Sequence, residues 1–413
     1  MKRRTRAPGS RPAGRGAGPL AGYRVVELCH HLVGPLASMY LGDFGAEVVK
    51  VETTEGDPRR YLAPTLGSTM STQFLALNRN KSSLSLDLRS RRGRDVLHRL
   101  LATADVFISN LSGEWLAKMG LDHRSLGRRH PRLISATLTA YGTTGPQASR
   151  RGFDINLCGE SGLWLQGKGG KPRSNASPVV DTAGAVMFAL GVVVSLLDRE
   201  RTGRTRRVET DLLSVCMALM AHRMVWMDGT PAPDLSPAVR SADAYAALYT
   251  YFETADGWLS VGAVSEGLFV RFLRALGMES IRRDRRYSTW DGVLANQGRL
   301  RRRLAPLLRA KSTDHWCRLL ARHKVPAGRV LLGAEVWEHP QLRSPGALER
   351  VRHPSVGRYT AMGSPLRHGG ARFGTVRAAP VLGQDTEAIL RSLAFTPADI
   401  RRLLLEGSAK SSC

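Results

Sequence analysis

None of the five cysteines (Cys29, Cys158, Cys216, Cys317, Cys413) belongs to a Cys-x-x-Cys pair, and their number is odd. This excludes the spacings of a disulfide framework or a zinc site and suits a reduced, cytoplasmic setting. Nor does any apolar run reach the ~20 residues that cross a bilayer. The longest, 183–197, contains Ser195 as its one polar residue and reads as a buried core helix. The N-terminus lacks the apolar stretch of a secretory signal. Aromatic residues make up only 6%, and no nucleic-acid recognition module or aromatic platform is legible. Acidic residues are few: 35 against 61 Lys and Arg, a formal charge of +26. Six of the positive charges lie in residues 1–17, a Pro/Gly/Arg stretch with nothing to bury, which reads as a disordered basic tail. The remaining excess suits either an anionic ligand or an ordinary Arg-rich, solvated surface.

What the chain does have is alternation. Tyr23–Leu28 reads as a strand, and Pro35 opens a helix where its missing N–H costs nothing. Gly42 and Gly45 close that helix, and Ala46–Glu52 is the next strand. The pattern repeats with Ser83–Leu88 (strand), Arg92–Thr103 (helix), Asp105–Asn110 (strand), short helices over 114–119 and 123–129, and Arg132–Tyr141 (strand). Parallel strands with helical crossovers predict a Rossmann-like open α/β sheet covered on both faces. A helical stretch opens at Phe153, a Gly/Lys/Ser-rich loop spans 167–177, and Arg206–Thr210 and 212–227 read as strand and helix. After a linker, GTPAPDLSP, an Asp256-Gly257 turn marks a hairpin over Tyr249–Val264. Helices over 267–276, 295–310 and 314–323, the last with Thr313 as N-cap, complete a smaller α+β domain. Short strands return over 345–377, and Thr396-Pro397 starts the last of two terminal helices. Trp115, Trp164 and Trp226 are expected in the core.

Asp181 sits between Pro178-Val-Val and the long apolar helix. By pattern it is a helix N-cap. Equally, a carboxylate held ionised by a helix N-terminus can attack a thioester or accept a proton from an acidic carbon. Asp154, in Phe153-Asp-Ile-Asn156, is expected to bond backbone near Gly152. His30-His31 lacks a third ligand at suitable spacing, so no metal is expected.

The stretches GPLASMYLGDFGAEVVKVETTEGD (34–57) and NRNKSSLSLDL (78–88) resemble the N-terminal signature of the class III CoA-transferases, the CaiB/BaiF type, whose relatives include formyl-CoA transferase and α-methylacyl-CoA racemase. HPRLI (130–134), YGTTGP (141–146), Asp181 running through Leu190-Gly191 to Arg199-Glu-Arg-Thr-Gly203, and APVLGQDTEAIL (379–390) follow in the same order, so the likeness covers about residues 18–407. It implies a large CoA-binding domain from 18–227 and 345–407, linkers and a small domain over 228–344, and an interlaced homodimer, with a paralogous partner subunit as the alternative. It implies CoA transfer between an acyl-CoA and a carboxylic acid, with Asp181 as nucleophile through aspartyl-anhydride and aspartyl-CoA intermediates. CoA is then a substrate; no other cofactor, membrane or nucleic acid is implied. Carried over by position, His31, Val33, Leu86 (under the adenine), Asn110, Leu111 and Lys118 would contact CoA. Arg59, Arg60, Arg79 and Lys81 are further phosphate candidates, and the oxyanion donors are expected in the His30–Val33 loop and near Gly34.

The chain departs from the family pattern at Leu32, Thr53, Leu111 and Arg204-Thr205-Arg206, which leaves a non-catalytic CoA-binding subunit as an alternative. The glycine-rich loop of formyl-CoA transferases is absent from 225–245. Racemases place a His before the Asp-Ile-Asn segment; here Phe153 stands there and cannot carry a proton.

Overall fold

The computed structural model describes residues 18–66, 70–163, 165–166, 172–173, 177–232, 248–374 and 377–412. The expected N-terminal tail, Trp164, most of the 167–177 loop, the linker beyond residue 232 and Cys413 lie outside them. Two compact units are present. One comprises residues up to Ala221 with Gln341–Cys413, the other His222–Pro340.

The larger unit is built on strands β1 (Arg24–Leu28), β2 (Glu47–Glu52), β3 (Lys81–Leu86), β4 (Val106–Ser109), β5 (Ile134–Thr139) and β6 (Val208–Asp211). These six run parallel in the order β6-β5-β4-β1-β2-β3. A seventh strand, Ala409–Lys410, adds antiparallel to β3, with Ala409 opposite Leu86. It is too short to carry a sequence period, which is why it escapes prediction. The chain builds outward from β1 through β2 to β3, then crosses back to β4 on the other side of β1. The ends of β1 and β4 therefore part, leaving the crevice in which open α/β sheets bind ligands. Strands covered on both faces should be almost wholly apolar. Val25, Val26, Leu28, Val48, Val49, Val51, Phe107 and Ile108 follow that rule, all at or near zero exposure.

Five helices matter here: α1 (Val33–Asp43), α2 (Arg91–Leu101), α3 (Asp154–Glu160), α4 (Val179–Thr202) and α5 (Leu212–Leu219). α1, α4 and α5 pack one face of the sheet. α2 and the terminal helices Thr386–Ser392 and Pro397–Leu405 pack the other. The last helix starts as predicted, with Thr396 capping Asp399 and Asp399 answering in a capping box.

Several expectations change. α4 starts at Val179 and is only half covered: Val180, Ala185, Phe188, Val192 and Leu196 are buried, while Val186, Met187, Leu190, Val194 and Leu197 are exposed. A helix apolar all round read as wholly buried, but the sheet covers one side. The helix predicted over 212–227 stops at Leu219, and Trp226 is exposed rather than core. Trp115 does pack against the α2-side core. In the smaller unit, strands Leu248–Thr254, Gly257–Ala263 and Ala327–Arg329 form an antiparallel sheet. Ser312, not Thr313, caps the helix Thr313–Arg322, because the Thr313 N–H and hydroxyl are given to Asp256 of the hairpin turn.

Charges interrupt the apolar strands at the middle of the sheet. The two oxygens of Glu27 on β1 face Lys50 on the adjacent β2 and Lys81 on β3 beyond it, each at 2.8 Å, and the Ser38 hydroxyl donates to Oε2 at 2.6 Å. Lys50 also donates to the Cys29 carbonyl and to Asp57 Oδ2, both at 3.0 Å. Lys81 also donates to the Pro35 carbonyl and Asn78 Oδ1, both at 2.8 Å. Burial works against both ammonium groups. Lys50, facing Glu27, Asp57 and Glu52, is nevertheless driven upward, whereas Lys81, held by Glu27 against the charge of Lys50, is pulled down to about 8. Removing one partner from a buried ion cluster costs about 3–5 kcal/mol, because the charge left behind stays desolvated. Glu27→Ala should therefore lower the unfolding free energy by that amount in urea titration. The double variant Glu27→Leu/Lys81→Met, which keeps the Lys50–Asp57 pair, should recover most of the loss.

Candidate active site

Where β1 and β4 diverge, one side chain stitches the gap. Asn110 Oδ1 accepts the His30 N–H at 2.9 Å and Asn110 Nδ2 donates to the His30 carbonyl at 2.8 Å, so the amide stands in for a strand. The loop then turns through His31, whose φ of 68° is left-handed, a conformation that costs a β-carbon residue energy and must be imposed from outside. The His31 N–H is directed at Asp57 Oδ1, at 3.3 Å. α1 begins immediately, without a side-chain cap, over the Cys29 thiol: a Cβ on Gly34 would lie 2.3 Å from Cys29 Sγ, so this position tolerates only glycine.

Asp57 joins that loop to the buried cluster. Its Oδ2 takes Lys50, and its Oδ1 accepts from both His31 and the Arg59 N–H, the latter at 2.9 Å. Burial alone would raise its pKa; the Lys50 ammonium and the Arg59 N–H outweigh burial and hold it at about 2. Sequence reading passed over Asp57 because a turn carboxylate before Pro58 looks like a local cap, and Lys50 because a lysine in a strand looks like an edge residue.

Asp181 is the third residue of α4 rather than its cap. The capping role belongs to Asp154, whose Oδ2 accepts the N–H groups of Val180 and Asp181 at 2.9 and 3.1 Å. Asp154 thus bonds backbone, as anticipated, but that of α4 and not that near Gly152. The half-buried Asp181 carboxylate takes no protein hydrogen bond among the described residues. Its pKa is raised to about 6, first by burial and then by the Asp154 charge, with Arg59 pulling the other way. The sequence suggested a lowered value from the helix N-terminus; that positive end is instead answered by Asp154. One turn further on, Gly184 lets α4 lie close to α5, where a Cβ would sit 2.8 Å from Leu212 Cδ2, while Val33 of α1 is at an ordinary contact distance of 3.5 Å. Phe153, next to Asp154, meets the exposed His31 ring edge-on at 6.2 Å between centroids. His31, Phe153, Asp154 and Asp181 are thereby brought together, while Val33 is buried in the core between α1 and the sheet.

Other expected contacts fall elsewhere. Leu86 has no exposed surface and lies in the core beneath α2 and the terminal helices, so its side chain offers nothing to an adenine. Leu111 is half-buried at the rim, packed against that same core. Lys118 is exposed at the end of the short helix Gly113–Lys118. Arg60 is buried with both Glu52 oxygens and the Pro380 carbonyl, Arg79 with both Asp43 oxygens, and Lys81 with Glu27. These three are structural, not phosphate ligands. Positive side chains near a strand end looked available in sequence; the acids that consume them sit on other elements, β2, α1 and β1. No cluster of three His, Cys, Asp or Glu able to hold a metal occurs among the described residues.

Comparison with known proteins identifies the family. The profile of CoA-transferase family III matches residues 20–386. Succinyl-CoA:glutarate CoA-transferase of Mus musculus is 31% identical over 94% of this chain and 90% of its own. A probable fatty acyl-CoA transferase of Mycobacterium tuberculosis is 29% identical over 92% of this chain and 99% of its own. The crystal structure of a CaiB/BaiF family protein from Brucella suis superposes with a TM-score of 0.80 at 29% identity, covering 91% of this chain and 99% of that one. The chain belongs to CoA-transferase family III and is an enzyme of that class.

Proposed function

We propose that this enzyme moves CoA from an acyl-CoA to a free carboxylic acid through covalent intermediates on Asp181. The carrying observation is the Asp181 carboxylate itself: half-buried, unbonded among the described residues, and close enough to Arg59 and Asp154 to feel the charge of both. The Asp181 oxygen attacks the thioester carbonyl, the C–S bond breaks, and CoA leaves as thiolate. The thiolate then attacks the aspartyl carbonyl of the mixed anhydride, releasing the donor acid and leaving an aspartyl-CoA thioester. The acceptor carboxylate attacks that thioester, and the returning thiolate takes the new acyl group and frees Asp181. Each bond made is of similar energy to the bond broken, which is the gain from covalent catalysis. Negative charge developing on the carbonyl oxygen needs N–H donors; Val33 and Gly34, at the uncapped start of α1, are suitably placed. His31, Asn110, Leu111 and Lys118 remain our assignment for the rim along which CoA would lie. Neither a metal nor a redox group is required by this chemistry.

Racemisation loses support because Phe153 occupies the position of the second base. A homodimer fits the exposed apolar row of α4, Val186, Met187, Leu190, Val194 and Leu197, which a second copy would cover. The free cysteines among the described residues suit a reducing, cytoplasmic setting.

With succinyl-CoA and hydroxylamine, mass spectrometry should find a hydroxamate at Asp181. Asp181→Asn should abolish it and lower CoA exchange by ~10³-fold or more; unchanged exchange would show that Asp181 is not the nucleophile, and no exchange or adduct in the wild type would make this a non-catalytic subunit. Because the nucleophile works ionised and its pKa is raised to about 6, acylation should be lost as pH falls through that value and level off above it. Asp154→Asn keeps a capping oxygen but removes the charge, so the acid limb should move to lower pH by up to about one unit. Sedimentation should return twice the 45.2 kDa chain mass.

A further inference from the structure

Three arginines lie in the chain between β2 and β3, and two are spent. The side edge of a guanidinium, formed by Nε and Nη2, accepts a carboxylate in two parallel hydrogen bonds. In Arg60 that edge holds both oxygens of Glu52, at 2.8 and 2.7 Å. In Arg79 it holds both oxygens of Asp43, at 2.9 and 2.6 Å. Arg59 is different. Its backbone N–H is fixed by Asp57, the carboxylate that also receives His31, and its Nη1 is held by Gln73 Oε1. Its Nε is buried with no partner, and no acceptor among the described residues meets its Nη2. A buried, charged donor left unpaired is costly, so the open edge is shaped for an anion that the protein does not supply.

The anion belongs to the acyl end of the substrate. Arg59 shares its anchor with His31 and acts on the charge of Asp181. With the thioester carbon at Asp181, the CoA phosphates lie a whole pantetheine arm away. Asp181 itself makes no hydrogen bond to Arg59, so the nucleophile stays free. We propose that the Nε–Nη2 edge of Arg59 binds a second carboxylate on the acyl group, making this a transferase selective for dicarboxylic acids and their mono-CoA thioesters. Donor and acceptor acyl groups pass in turn through the same aspartyl anhydride, so one arginine selects both. This rests on Asp181 being the nucleophile.

The experiment compares wild type with Arg59→Gln and Arg59→Lys on chain-matched pairs: succinyl-CoA against butyryl-CoA as donor, glutarate against valerate as acceptor. Hydroxylamine trapping without acceptor monitors Asp181 separately. Wild type should prefer the diacid member of each pair. Arg59→Gln should raise KM for succinyl-CoA and glutarate by roughly 10- to 100-fold, the worth of a charged hydrogen-bonded pair, while butyryl-CoA and valerate change less than about 3-fold. Arg59→Lys should fall between. Equal losses on both members would mean that Arg59 serves Asp181 or the fold, and no preference in wild type would mean that no second carboxylate is read; either overturns the proposal. Absence of trapping with every donor in wild type would remove the Asp181 reading, and this inference with it. Matching melting temperatures for wild type and Arg59→Lys would show that the variant comparison reports binding.

Discussion

The site depends on the ion chain Glu27–Lys50–Asp57, buried where three parallel strands meet. Two lysines and two carboxylates in an apolar layer are a poor way to gain stability, since desolvation consumes most of the attraction. What they provide is direction. Lys50 has three acceptors in fixed places, the Glu27 carboxylate, the Cys29 carbonyl and Asp57, and it cannot move without leaving one of them bare. Asp57, held in turn, takes the N–H groups of His31 and Arg59. The left-handed turn of the loop after β1 and the position of the arginine beside the nucleophile are thus set by charges inside the sheet.

The second constraint is topological. Strand order alone opens the crevice between β1 and β4, and Asn110 keeps it from opening too far by bonding both polar atoms of the His30 peptide. Glycine at 34 lets α1 start directly over Cys29, and glycine at 184 lets α4 lie close to Leu212 of α5.

Much of this was legible in the sequence. Alternating strands and helices gave the doubly wound sheet, the motif order gave the family, and Thr396-Pro397 marked a helix start that the structure keeps. Failures had two physical sources. Charged residues were read locally, so Arg60, Arg79 and Lys81 looked free although Glu52, Asp43 and Glu27 neutralise them through tertiary pairing. Leu86 was given to a ligand although it lies in the core, because apolar runs do not reveal which face is covered. The same ambiguity made α4 look fully buried. Asp154 was placed near its own segment, while its bond partners lie 26 and 27 residues onward, beyond the reach of any turn rule.

That last pairing couples two properties usually adjustable apart. One oxygen of Asp154 secures the first turn of α4, and the charge on the same group makes the neighbouring carboxylate hold its proton more tightly. A weaker anchor would yield a more acidic but looser nucleophile; a firmer one would yield a more basic and better-placed one. With a carboxylate at 154, reactivity and rigidity at Asp181 are tied together; they part only where an amide keeps the anchor without the charge, or where charge changes from a third direction, the side on which Arg59 stands.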